Sequence, residues 1–177
     1  MNDLELIAEL HRLGLDADSF RAVTLLPLVE VAWADKAVQA QERKAILAIA
    51  KGHDLLTGKA ATVVEGWLET RPTDETFELG RRLVATLAHR KTGLGADVPE
   101  HVIDTIVELC AVVAESAGGL FGVLFTVSAD ERRTIKRIAE HLDALSSEVA
   151  PNRGIVGRTI GGTWLGVLDE LTDETPK

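Results

Sequence analysis

Tyrosine is absent from these 177 residues, methionine occurs only as Met1 and cysteine only as Cys110. A lone cysteine closes no internal disulfide. Cys110 stands in an apolar helical run, so it reads as a small buried hydrophobe in a reduced compartment. No stretch of eighteen uncharged apolar residues occurs, which argues against a membrane span. Met1 to Leu15 carries acids and lacks the unbroken apolar stretch of a secretory leader. Basic residues are the minority, 19 against 28 acidic, a net charge of −9. An acidic surface repels phosphate backbones, which excludes nucleic acid as an expected partner. The basic residues are scattered, with only short pairs such as Arg81–Arg82 and Arg132–Arg133. These features lead us to expect a cytoplasmic chain without a membrane span.

Groupings that carry catalysis are also missing. No serine stands in a nucleophile-elbow pattern, and Cys110 has no recognisable activating neighbour. None of His11, His53, His89, His101 and His141 follows a glutamate in E-x-x-H spacing or pairs with another histidine at helical distance. Each reads as solvated or helix-terminal, with His53 and His89 near helix C-termini, where a cation is mildly favoured. The glycine-rich stretch Gly154–Gly166 lacks the G-K-[ST] ending of a phosphate loop and reads as a connector. The expectation is a protein that is not an enzyme.

What the chain does contain is a phrase stated twice. Val38–Ile46 reads VQAQERKAI and Val127–Ile135 reads VSADERRTI, identical at Val, Ala, Glu, Arg and Ile, with Lys44 and Arg133 keeping one charge. The match extends to Ile49–Ala50 and Ile138–Ala139. Both copies open an amphipathic helix, which points to a duplicated helical unit. Residues 28–52 and 109–141 are expected to form equivalent helix–linker–helix units.

Helical periodicity dominates and no strand alternation is convincing. Leu4–Leu13 predicts a short helix ending near Gly14. A second runs from Asp18 or Ser19 to about Ala34, apolar almost all round and therefore buried, with Pro27 kinking it or delaying its start. The third begins near Gln39 and is expected to stop at Gly52 as a left-handed cap. The fourth carries Ala60, Val63, Val64, Trp67 and Leu68 on one face. In the fifth, Thr73 is the cap and Phe77, Gly80, Val84 and Leu87 face inward. Asp97-Val-Pro-Glu100 reads as a capping box opening the sixth, and Ser128-Ala-Asp-Glu131 as another opening the seventh. Asp104, Glu108 and Glu115 form a wet stripe on the sixth. Trp33 and Trp67 read as packing residues. The fold class is all-α: a bundle of about seven to eight helices with two pseudo-duplicated halves over residues 1–150. Residues 151–177 form a glycine-rich connector, a short helix bearing Trp164 and a frayed end.

The linkers of the two halves differ. Ala34 and Glu42 are eight residues apart, whereas Ala117 and Glu131 are fourteen apart, and the added residues, within GGLFGVLF, are apolar. Leu120, Phe121, Leu124 and Phe125, with Trp164, are the candidate partner-binding residues. An apolar insertion either folds back over the core, under the tail helix, or meets a protein partner or a second copy.

At VAWAD, Val31–Asp35, followed seven residues later by Glu42 and a helix, the chain resembles the TerB-like family, which includes tellurite-resistance TerB and the N-terminal region of DjlA-type membrane co-chaperones. The likeness covers roughly residues 20 to 145. The family signature is A-D-G, then a glutamate opening the next helix, often repeated in a second half. The resemblance implies a helical bundle with duplicated halves, a cytoplasmic or membrane-peripheral location, and a scaffold or regulatory role in stress-linked assemblies. It also implies an acidic metal-binding feature, matched here by Asp35, Glu42 and Glu131. Two positions depart from it: Lys36 stands where the first-half glycine is usual, and Gly118 where the second-half aspartate is usual, while Gly119 keeps the glycine.

Two readings of these acids stand open. Asp35, just past a helix C-terminus, needs compensation against the helix dipole. It either caps the next helix or pairs with Lys36, or else joins Glu42 around a hard cation such as Ca²⁺, Mg²⁺ or Mn²⁺, which wants several oxygens. Glu42 and Glu131 likewise suit the first turn of a helix as capping-box acids. The linker is not an EF-hand loop, since it lacks the twelve-residue run of alternating acids.

Overall fold

A computed structural model describes residues 1–99, 101–117 and 127–149. Among these residues there are seven α-helices and no strand, an all-α bundle. In chain order they are α1 (Asp3–Arg12), α2 (Leu26–Ala32), α3 (Ala40–Gly52), α4 (Ala60–Glu69), α5 (Asp74–Ala88), α6 (Val102–Ala117) and α7 (Ala129–Val149). None is long and apolar enough to cross a membrane.

Local chemistry explains most of the boundaries. Asn2 Oδ1 accepts from the Glu5 amide and Glu5 Oε2 from the Asn2 amide, both at 2.9 Å, a closed capping box that starts α1. The chain then reverses through Gly14, at a φ of +80°. Pro27 delays the second helix: a six-residue 3₁₀ segment, Phe20–Leu25, comes first, and α2 begins at Leu26 with the proline in its first turn. There its missing N–H would have had no intrahelical acceptor. Thr73 caps α5 as expected, its hydroxyl accepting from the Thr76 amide.

Two expected boundaries are corrected. Gly52 is not a left-handed cap but the last helical residue of α3; the left-handed position is Asp54, at a φ of +52°. Aspartate tolerates that region better than most side chains. Asp97 does not cap α6, which starts five residues later at Val102; its carboxylate pairs instead with Arg21.

Every residue of α2 is buried, and α2 packs against α6 at the centre of the bundle. Phe77, Gly80, Val84 and Leu87 of α5 face inward as expected. Gly80 lets α5 close on α2, because a Cβ at this position would sit 2.6 Å from Leu26 Cδ2. Ile46 and Ala50 of α3, Val64 of α4, Cys110 and Val113 of α6, and Ile138 and Leu142 of α7 complete the core. Asp104, Glu108 and Glu115 line the exposed side of α6, as the spacing predicts.

The two units interlock. Helix α3 packs mainly on α6, the central helix of the other half, while α7 lies chiefly on α5 and touches both α6 and α2. This arrangement brings the starts of α3 and α7 together. Leu120, Phe121, Leu124, Phe125, Trp164 and the expected connector and tail helix over 151–177 lie outside the described residues, as do Glu100, Gly118 and Gly119.

Candidate functional site: a buried acid pair and an arginine cluster

Glu42 and Glu131 occupy the third position of α3 and α7. Each reaches back to the amide preceding its helix: Glu42 Oε2 accepts from Gln39 N and Glu131 Oε2 from Ser128 N, both at 2.6 Å. In the second copy the box closes, since Ser128 Oγ accepts from the Glu131 amide at 3.1 Å. The capping reading therefore holds for both acids. It does not account for their depth: each residue is only 2% exposed, far from the solvated position of an ordinary capping glutamate.

The depth follows from the packing of α3 on the other half. Both carboxyl groups turn into the seam between the halves, close enough for Glu131 to act on Glu42. Burial pushes the Glu42 carboxyl up to about 7; its bond from Gln39 opposes this, and the negative charges of Glu131 and Asp35 reinforce it. Glu131 Oε1 is buried with no hydrogen-bond partner. A proton on Glu42, which its raised value favours, would offer that oxygen a donor.

Asp35 behaves differently from either sequence expectation. It is exposed, and its Oδ1 accepts from the Ser128 hydroxyl of the other half at 3.0 Å. Its recorded partner is thus neither the amides of the following helix nor Lys36. Lys36 takes a φ of +70°, the left-handed backbone that the family's glycine would adopt without strain. Asp35, Glu42 and Glu131 share one region, yet among the described residues no group of three or more His, Cys, Asp or Glu is placed to hold a metal ion. As they stand, the three acids do not fit a three-carboxylate centre.

A second polar cluster escaped the sequence reading. Glu30, 7% exposed in the middle of apolar α2, forms an ion pair with Arg81 of α5, itself 7% exposed. Arg137 of α7 donates to the other Glu30 oxygen at 3.0 Å. Arg81 Nε donates to His141 Nδ1 at 3.0 Å, and Arg81 Nη2 to Glu78 at 3.1 Å. His141 is therefore part of a network and not merely solvated. One signal was available: a glutamate inside an otherwise apolar helix demands a buried counter-charge. Nor is Trp33 a plain core residue; it is half-buried, and its indole N–H donates to the Trp67 carbonyl at 2.8 Å.

Compared with family models, curated proteins and solved structures, the chain matches none.

Proposed function

We propose that this chain is a non-enzymatic TerB-like module, a scaffold or regulatory component of a stress-response system of the tellurite-resistance type, which works by binding a protein partner. The observation that carries this reading is the meeting of Glu42 and Glu131. They are the equivalent acids of a duplicated signature, and they face each other across the seam between its halves. A seam that buries two facing carboxyl groups is held less firmly than an apolar one, because ionising both leaves two buried negative charges close together. Such a seam suits a module whose halves adjust to a partner. The experiment is isolation of cross-linked complexes from the native cells, with the wild-type chain and with Glu42→Lys, alongside survival of a deletion strain under tellurite and oxidant. A stoichiometric partner lost on Glu42→Lys, with the variant still helical, supports the reading. Absence of any stoichiometric partner, together with unchanged survival of the deletion strain, overturns it.

A second reading, a divalent-cation sensor or buffer using Asp35, Glu42 and Glu131, draws on the donorless Glu131 Oε1. A cation in place of a proton on Glu42 would also satisfy that oxygen. Millimolar Ca²⁺, Mg²⁺ or Mn²⁺ would then raise the melting temperature, since a ligand of the folded state alone stabilises it. Asp35→Asn and Glu42→Gln would each remove the gain. Melting curves indifferent to all three ions exclude this reading.

A further inference from the structure

A cleft of about 490 Å³ opens where the end of α2, the segment before α5 and the first turns of α7 come together. Its lining includes Arg71, Arg133 and Arg137, with Trp33, Glu30 and Asp130. Three guanidiniums at one concavity are notable in a chain of net charge −9. They are also accessible: the side chains of Arg71, Arg133 and Arg137 are 48%, 77% and 63% exposed.

Charge on the cleft wall is weighted toward the guanidiniums. Glu30 is matched from within by Arg81, Asp130 pairs with Arg133, and Asp74 pairs with Arg71 at 2.7 Å. Arg81 is also held by Glu78, so the whole cluster is balanced, but the cleft wall itself carries three guanidiniums, Arg71, Arg133 and Arg137, against two carboxylates, Glu30 and Asp130. Asp74 registers this crowding: Arg71 chiefly, then Arg137 and Arg81, hold its carboxyl below its ordinary value. Each guanidinium carries five N–H donors, and those of Arg133 and Arg137 sit on side chains that are 77% and 63% exposed.

We propose that this cleft binds a small organic phosphate monoester, its phosphate on Arg71, Arg133 and Arg137 and its organic part against Trp33. A plain carboxylate would only replace Asp130 or Asp74 with another of its kind. A phosphate dianion brings more charge and three acceptor oxygens, which several guanidiniums bind together. The cleft is far larger than inorganic phosphate needs and lies within the usual range for small-molecule sites. Trp33 supplies a wall for the remainder, its ring edge anchored on the Trp67 carbonyl. The proposal does not depend on the binding-module reading.

The test is calorimetric titration of the full chain with phenyl phosphate, adenosine monophosphate, inorganic phosphate, benzoate and phenol. Both organic phosphates should bind, at least tenfold more tightly than inorganic phosphate or benzoate, and phenol should not. Affinity should fall as salt rises. Arg133→Gln and Arg137→Gln should each weaken binding about tenfold, as expected for the loss of a charge-assisted contact worth on the order of one decade. Arg133 pairs with an exposed aspartate, and Arg137 leaves Glu30 still paired to Arg81, so both variants should keep their helicity and their melting curves measure that directly. No binding of either organic phosphate at millimolar concentration overturns the proposal. So does binding that survives the double variant, or benzoate or inorganic phosphate binding as tightly as the esters.

Discussion

The hydroxyl of Ser128 donates to Asp35 Oδ1 across 93 positions of sequence while it also accepts from the Glu131 amide. One side chain therefore caps α7 and ties the second half to the linker of the first. Ser128→Ala should cost about 1–2 kcal/mol, the range for losing an N-cap. Asp35→Ala removes only an exposed bond and should cost about 0.5 kcal/mol. Chemical denaturation of the two single variants and the double should show that the Asp35 effect largely vanishes once Ser128 is gone. Strict additivity would mean that the cross-half bond contributes nothing.

Glu42 governs the pH dependence. Its folded-state value lies above its ordinary 4.5, at about 7, so the folded chain holds the proton more tightly than the unfolded chain does. Its contribution is fully present below about 4.5 and is lost as pH rises through about 7. Over that window stability should decline by on the order of 3 kcal/mol from this group alone. Glu42→Gln keeps an acceptor for the Gln39 amide and offers Glu131 a permanent donor. It should flatten the profile and be more stable than wild type at pH 8. Urea midpoints at pH 5, 6, 7 and 8 decide the matter, and a wild-type profile that rises across this range contradicts the assignment.

Removing Arg81 should be far more damaging than removing any surface arginine. Arg81→Ala leaves Glu30 buried with only the exposed Arg137 as counter-charge, and should cost about 3–5 kcal/mol. Replacing both partners, as Glu30→Leu with Arg81→Met, should recover much of that loss, because an apolar pair has no charge to desolvate. Thermal melts of the single and double variants distinguish a buried ion pair from general packing damage. A double variant no better than Arg81→Ala would place the cost in packing.

Lys36→Gly should stabilise the fold by up to about 1 kcal/mol. The left-handed backbone at Lys36 strains any side chain, and the relief exceeds the added freedom of glycine in the unfolded chain. A lower melting temperature in Lys36→Gly would mean that the lysine side chain makes a contact worth more than the strain.

The all-α class, the central position of α2 and α6 and the equivalence of Glu42 with Glu131 were legible because each rests on periodicity or on the repeated phrase. The sequence also showed that both glutamates could cap their helices. What it hid was three-dimensional pairing. Glu30 between Val29 and Val31 signals a buried counter-charge, yet nothing local tells which of the scattered basic residues turns inward to meet it. Arg81 lies 51 positions away, beside Arg82, which looks the same in sequence. The Asp35–Ser128 bond was hidden for the same reason. The Gly52 cap failed on a subtler point: a glycine allows the left-handed turn but does not compel it, so Gly52 stayed in the helix and Asp54, two residues on, took that role.

The packing of α3 on the central helix of the other half bears on how such a chain could arise. A polypeptide carrying only the α2–α3 unit would have no α6 on which to lay α3, except the matching helix of a second molecule. Two such molecules would close as an isologous pair, with the same glutamate contributed twice to the axis. Fusing the two genes would join the subunits in one chain and release each copy to diverge. Lys36 in one linker and the longer stretch before Glu131 in the other are the kind of asymmetry that a strict homodimer could not have acquired.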